Sequence, residues 1–94
     1  MVKHIVVYTF KEGVDKAEAV KIVANVLEPL VGKIPGLNAM QIRACYQGGM
    51  DYCLYSEFES PEALANYANH PLHLEAKEHF FHLLDQRVAA DFEV

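Results

Sequence analysis

The segment Tyr67-Ala68-Asn69-His70-Pro71-Leu72-His73 gathers the side chains best suited to chemistry in a chain of 94 residues. On a helical wheel at about 100° per residue, Phe80 and Leu84 fall within roughly 20° of His73. Leu74 and Leu83 flank that stripe. This spacing predicts a helix from about Leu72 to Gln86, with His73 pointing inward near its start. The positive end of the helix dipole disfavours an imidazolium there, and burial does the same. A neutral, inward histidine can act as a general base near pH 7. His4, on a predicted strand face turned to the helices, can meet His73 across a pocket. Tyr67 can donate a hydrogen bond to a carbonyl or enolate oxygen. The expected lining is His4, Val6, Tyr8, Leu54, Ser56, Tyr67, His70 and His73. Such a set suits proton abstraction beside a carbonyl, followed by aldol-type closure. A structural role stands against it: a core histidine bonded to a backbone carbonyl, with His70-Pro71 joining two helices.

Metal chemistry is tested by spacing. His70-x-x-His73 and His79-x-x-His82 have the form of ligand pairs. On a continuous helix, however, His79 lies about 120° and His82 about 180° from His73. A zinc site needs three or four converging ligands, so no metal site is expected. The chain has no Gly-rich phosphate loop, no Gly-x-Ser-x-Gly elbow and no Cys-x-x-Cys, so no cofactor is expected either. Cys45 and Cys53 are too few for a disulfide framework. They fall on neighbouring predicted strands and can face each other if the hairpin has a three-residue loop. They are read as reduced, small core residues.

The elements that must hold these groups follow from period and punctuation. Lys3 to Lys11 alternates as a strand, with His4, Val6, Tyr8 and Phe10 on one face and Ile5, Val7 and Thr9 on the other. Asp15 and Glu18 form a capping box for a helix running to about Val31. Val20, Val23, Leu27, Leu30 and Ile34 are its apolar stripe, and Pro29 should kink or tighten its last turn. Leu37 to Tyr46 and Asp51 to Glu59 read as strands joined at Gly48-Gly49. Ser60-Pro61 starts a helix to about Asn69, Pro71 opens the next segment, and Val88 to Val94 closes the chain as a strand. The order β-α-β-β-α-β, with the last helix split, is the ferredoxin-like α+β arrangement: a four-stranded antiparallel sheet with helices on one face. The other face offers Ile5, Val7, Cys53, Tyr55, Phe92 and Val94, an apolar patch that a two-fold dimer would hide by stacking two sheets.

Composition narrows the partners. One domain spanning 1–94 is expected, and a core this small often gains from oligomerisation. The formal net charge of -5 repels phosphates, so no nucleic-acid partner is expected. No run approaches the roughly 20 apolar residues that cross a bilayer, and the first residues alternate rather than forming a signal peptide. No membrane partner is expected, and the expected compartment is cytoplasmic.

Val2-Lys3-His4-Ile5-Val6, Ile34-Pro35-Gly36, the stretch from Phe58 to Leu64, Tyr67 to His73, and Asp91-Phe92-Glu93-Val94 together carry a resemblance. In that order the chain resembles the stress-responsive A/B barrel (Dabb) proteins. The resemblance implies a homodimer whose two sheets close an α/β barrel with helices outside. It fixes no single function. One plant member of that family is a cofactor-free polyketide cyclase, similar in the Tyr-x-x-His-Pro-x-His stretch and in the first-strand histidine. By that likeness His73 would be the base and Tyr67 the orienting donor. Tyr8 stands where an aliphatic residue belongs in the cyclase, Val and Ala replace aromatics on the first helix, and Ser56 adds a polar group. A different substrate is implied. The small barrel monooxygenases share the dimeric architecture, but the His-Pro-x-His stretch sets this chain apart from them. The primary expectation is a non-catalytic dimeric module that binds a small apolar or aromatic ligand or acts in a stress response. The alternative is a cofactor-free enzyme acting on a small apolar carbonyl compound. An open space between sheet and helices separates the second from the first.

Overall fold

The computed structural model describes all residues from Met1 to Val94. Strand β1 (Val2–Phe10) leads into helix α1 (Lys16–Leu27) and a 3-10 turn at Glu28–Leu30. Strands β2 (Leu37–Ala44) and β3 (Tyr52–Phe58) follow, then helices α2 (Pro61–Ala68) and α3 (Pro71–Glu78), a 3-10 turn at Phe81–Leu83, and strand β4 (Leu84–Glu93). The sheet order is β2-β3-β1-β4, with every pair antiparallel. This is the ferredoxin-like α+β fold. No helix is long and apolar enough to cross a membrane.

Local chemistry sets most of these boundaries. Asp15 caps α1 by accepting from the Glu18 amide at 3.2 Å, and Ser60 caps α2 by accepting from the Ala63 amide at 3.1 Å. Pro29 tightens the end of α1 into the 3-10 turn. There Glu28 reaches across to accept from the Ile42 amide at 2.9 Å, tying the turn to β2. Gly36 turns the chain into β2 at φ 83°, and a Cβ at this position would lie 2.5 Å from the Cβ of Ala63. Only glycine allows both that backbone and so close an approach of α2.

Alternation divides the sheet. Val2, Val6, Tyr8 and Phe10 of β1, Met40 and Ile42 of β2, and Tyr52, Leu54 and Phe58 of β3 are buried beneath the helices. Val23 and Leu27 of α1, Tyr67 of α2 and Ala76 of α3 meet them. The opposite face has no helix. It carries Ile5, Val7, Cys53 and Tyr55, with Val88 and Phe92 left 61 % and 48 % exposed. Lys3, Tyr55 and Glu57 form a polar cluster on the same face: the Lys3 ammonium donates to Glu57 at 2.7 Å and to Tyr55 at 2.9 Å.

Three sequence expectations are corrected. The last helix ends at Glu78, not Gln86, and the last strand begins at Leu84, not Val88. Phe80 drops into the core at 2 % exposure, and β1 needs a partner along its whole free edge. Non-local pairing, from Phe10↔Leu84 to Val2↔Glu93, overrides the helical period of Leu83 and Leu84. Leu84 therefore does not share a helical stripe with His73, and the wheel positions of His79 and His82 no longer apply, although both are exposed. The β2–β3 hairpin is also wider than a three-residue loop. Ala44 pairs with Tyr52, so Cys45 sits opposite Asp51, and Cys53 pairs with Arg43. The two cysteines are diagonal neighbours rather than facing partners, and both are free thiols.

Candidate functional site

A cavity of about 330 Å³ opens between the sheet and the helices. The sheet contributes His4 and Tyr8 from β1, Leu54 from β3 and Arg87 from β4. The helical layer contributes Leu27, Leu64, Tyr67, Ala68, His73 and Lys77, with Phe80 and Phe81 closing one end. Five residues expected at the site are thus brought together: His4, Tyr8, Leu54, Tyr67 and His73.

Three others lie elsewhere. Val6 is wholly buried in the core. Ser56 is also fully buried, and its hydroxyl donates to the His4 backbone carbonyl at 3.1 Å, holding β3 against β1. His70 caps α3: its Nδ1 accepts from the Leu72 amide at 3.1 Å, and its side chain borders a separate groove with Ile34 and Asn66. The joint role of His70-Pro71 between two helices is therefore structural.

His73 occupies the first turn of α3 and lies against Tyr67 at the end of α2. Their ring centroids are 4.0 Å apart with planes 31° from parallel. His73 Nδ1 is 3.2 Å from the Ala68 carbonyl oxygen. A carbonyl can only accept, so Nδ1 carries the hydrogen and Nε2 carries the lone pair in the neutral ring. Nε2 has no protein partner. Burial pushes the His73 pKa below its usual value; the Ala68 carbonyl opposes this, while Lys77 and His4 add to it. This shift favours the neutral ring, in which Nε2 keeps its lone pair.

Two further groups point chemistry at the same space. Tyr67 is 3 % exposed and its phenol has no protein hydrogen bond, while burial raises its pKa far above the usual range. It stays protonated, so its hydroxyl is available to donate. His4 packs edge-on against Phe58, and its Nδ1 contacts the Asp91 carboxylate of β4. Asp91 was absent from the expected site; the pairing of His4 with Asp91 in the β1–β4 ladder is the register that places it. Around this cavity the Tyr67 phenol can donate to a ligand oxygen, while the His73 Nε2 lone pair can accept from a ligand hydroxyl or take a proton. No three of the His, Cys, Asp and Glu side chains converge as metal ligands.

The sheet order, the helices on one face and a polar-tipped cavity beneath them define an A/B barrel domain. The family model described as Stress responsive A/B Barrel Domain matches residues 2–94. The chain belongs to this family. The stress-response A/B barrel domain-containing protein HS1 of Arabidopsis thaliana is 31 % identical over 98 residues, covering 98 % of this chain and 88 % of that protein. A dimeric protein of unknown function and ferredoxin-like fold from Bacteroides fragilis superposes with a TM-score of 0.88 at 26 % identity, covering 99 % of this chain and 95 % of that one. A solved protein of Arabidopsis thaliana gives a TM-score of 0.87 at 29 % identity, covering 100 % and 95 %.

Proposed function

We propose that the protein is a homodimeric A/B barrel that binds a small, partly aromatic compound through a polar oxygen group, such as a hydroxyl, in the His4–Tyr67–His73 cavity. One observation carries this: the His73 Nε2 lone pair and the Tyr67 phenol both lack protein partners beside an apolar cavity of about 330 Å³. Buried polar groups are normally satisfied: a ligand hydroxyl can satisfy both, accepting from Tyr67 and donating to Nε2, whereas a carbonyl can accept from Tyr67 alone. The homodimer rests on the uncovered sheet face and on the dimeric Bacteroides fragilis relative. Stacking two such faces would cover Val88 and Phe92.

A catalytic reading is favoured by the tautomer of His73. Nε2 would take a proton from the carbon beside a ligand carbonyl; the C–H pair would form the carbon–carbon double bond of the enolate as the π pair of the carbonyl moves onto oxygen. Tyr67 would donate a hydrogen bond to the enolate, and the imidazolium would return the proton to the product. Thermal-shift screening against small aryl ketones and phenols tests the binding proposal. Stabilisation that vanishes in Tyr67→Phe and His73→Ala is expected; a library without a stabilising member contradicts it. Turnover by any binder, absent in His73→Ala, separates catalysis from binding.

A further inference from the structure

The cavity is cationic in an acidic chain. The chain carries a formal charge of -5, yet neither Asp nor Glu is among the residues lining this space. Two cations do line it, Lys77 and Arg87. Of the eight Lys and Arg residues, Lys3, Lys16, Lys21 and Arg43 are paired with carboxylates. Lys11, Lys33, Lys77 and Arg87 are not, and of these four only Lys77 and Arg87 line the cavity. Their positions are set by the fold. Lys77 lies one helical turn after His73, and its ammonium sits 4.5 Å from the centre of the Phe81 ring, which also borders the cavity. Arg87 pairs with Tyr8 across the β1–β4 ladder, on the side facing the helices. Its guanidinium beside Tyr8 opposes the rise that burial imposes on that phenol.

We propose that Lys77 and Arg87 form an anion subsite at the cavity, so that the ligand is a small carboxylate whose carbonyl accepts from Tyr67, such as a 2-oxo acid. This rests on the cavity being the ligand site. An unpaired guanidinium offers a fork that matches a carboxylate, and a neighbouring ammonium supplies a second charge. A carboxylate rather than a phosphate fits the donor set. The subsite has one fork and one point charge, without the Gly-rich amide cradle that phosphate sites use. The aromatic walls, Tyr8, Phe80 and Phe81, suit an aryl or alkyl tail.

The test uses a matched pair: 2-oxo-4-phenylbutanoate and 4-phenylbutan-2-one, which differ by a carboxylate in place of a methyl group. Calorimetric titration of the wild-type protein should give about 10- to 100-fold tighter binding of the keto acid, as expected of charge-assisted hydrogen bonds. Lys77→Met and Arg87→Gln should each shrink that preference, the keto acid losing more affinity than the neutral ketone. Arg87→Lys, which keeps the charge but loses the fork, should retain part of it. Equal binding of both compounds by the wild type overturns the anion subsite and leaves the cavity as a ligand site. Binding of neither overturns both. A preference that survives both substitutions places the anion elsewhere and overturns the assignment, as does tighter binding of phenyl phosphate than of the keto acid.

Discussion

The rings of Tyr67 and His73 lie against one another at 4.0 Å, although the two residues belong to different helices. Pro71 produces this contact. It ends α2 and opens α3 within three residues, and His70 caps the new helix through its side chain. The Ala68 carbonyl, left free at the end of α2, becomes the acceptor that orients His73. One junction thus stacks the two rings and fixes the tautomer.

Removal of His73 should separate its chemical role from its structural one. His73→Ala deletes a half-buried ring and one hydrogen bond, a loss of about 1–2 kcal/mol. For a domain of this size each kcal/mol corresponds to roughly 4–8 °C in Tm. The variant should remain folded but lose ligand binding. His82→Ala, on the exposed 3-10 turn, should leave both melting and binding unchanged.

Acid should destabilise the fold through His73. Its folded pKa is depressed by burial below the usual value of 6.5, so between the two values the unfolded chain binds more protons. The stability linked to this group is complete above about pH 6.5 and is lost as pH falls through the folded value. Melts from pH 8 to 5 should show this decline, and His73→Gln should flatten it. An equal decline in the variant would assign the acid sensitivity to other groups.

Gly36→Ala should damage α2 docking more than its backbone conformation alone requires. The positive φ costs roughly 1–2 kcal/mol. Gly49 shares that conformation but has open space around it, whereas Gly36 faces Ala63. Gly49→Ala therefore measures the conformational cost, and the further fall in Tm for Gly36→Ala measures the clash.

The open sheet face predicts a dimer whose loss is visible in a thiol. Val7→Asp should halve the mass seen by sedimentation. Val7 pairs with Cys53, whose thiol pKa is raised by burial and by neighbouring Cys45. Cys53 should alkylate slowly in the wild type and faster in the variant. A wild-type protein that is stable as a monomer would contradict sheet stacking.

Local signals made much of the fold legible. Asp15, Pro29, Ser60 and Pro71 act within one turn of themselves, and each does in the structure what its chemistry dictates. The start of β4 was not legible, because Leu84 becomes a strand residue only by pairing with Phe10, far away in sequence. That boundary also hid Arg87: with a helix drawn to Gln86, no alternation could place its side chain over the cavity. Asp91 lay within the expected last strand, but its place beside His4 is set by the β1–β4 register, which no local signal specifies. His4, Tyr67 and His73 carry a recognisable chemical pattern, whereas Lys77 reads as one more surface cation until its place beside Phe81 is seen.

The most direct measurement of the central claim is the nitrogen-15 spectrum of the His73 ring during titration with 4-ethylphenol, whose hydroxyl can donate to Nε2. Before addition at neutral pH, the ring should show a hydrogen on Nδ1 and a bare Nε2. Ligand should then shift Nε2 saturably, together with signals of Tyr67 and Phe80, while His82 stays fixed. A hydrogen found on Nε2, or no saturable change at His73 in folded protein, would contradict a ligand cavity built around this histidine.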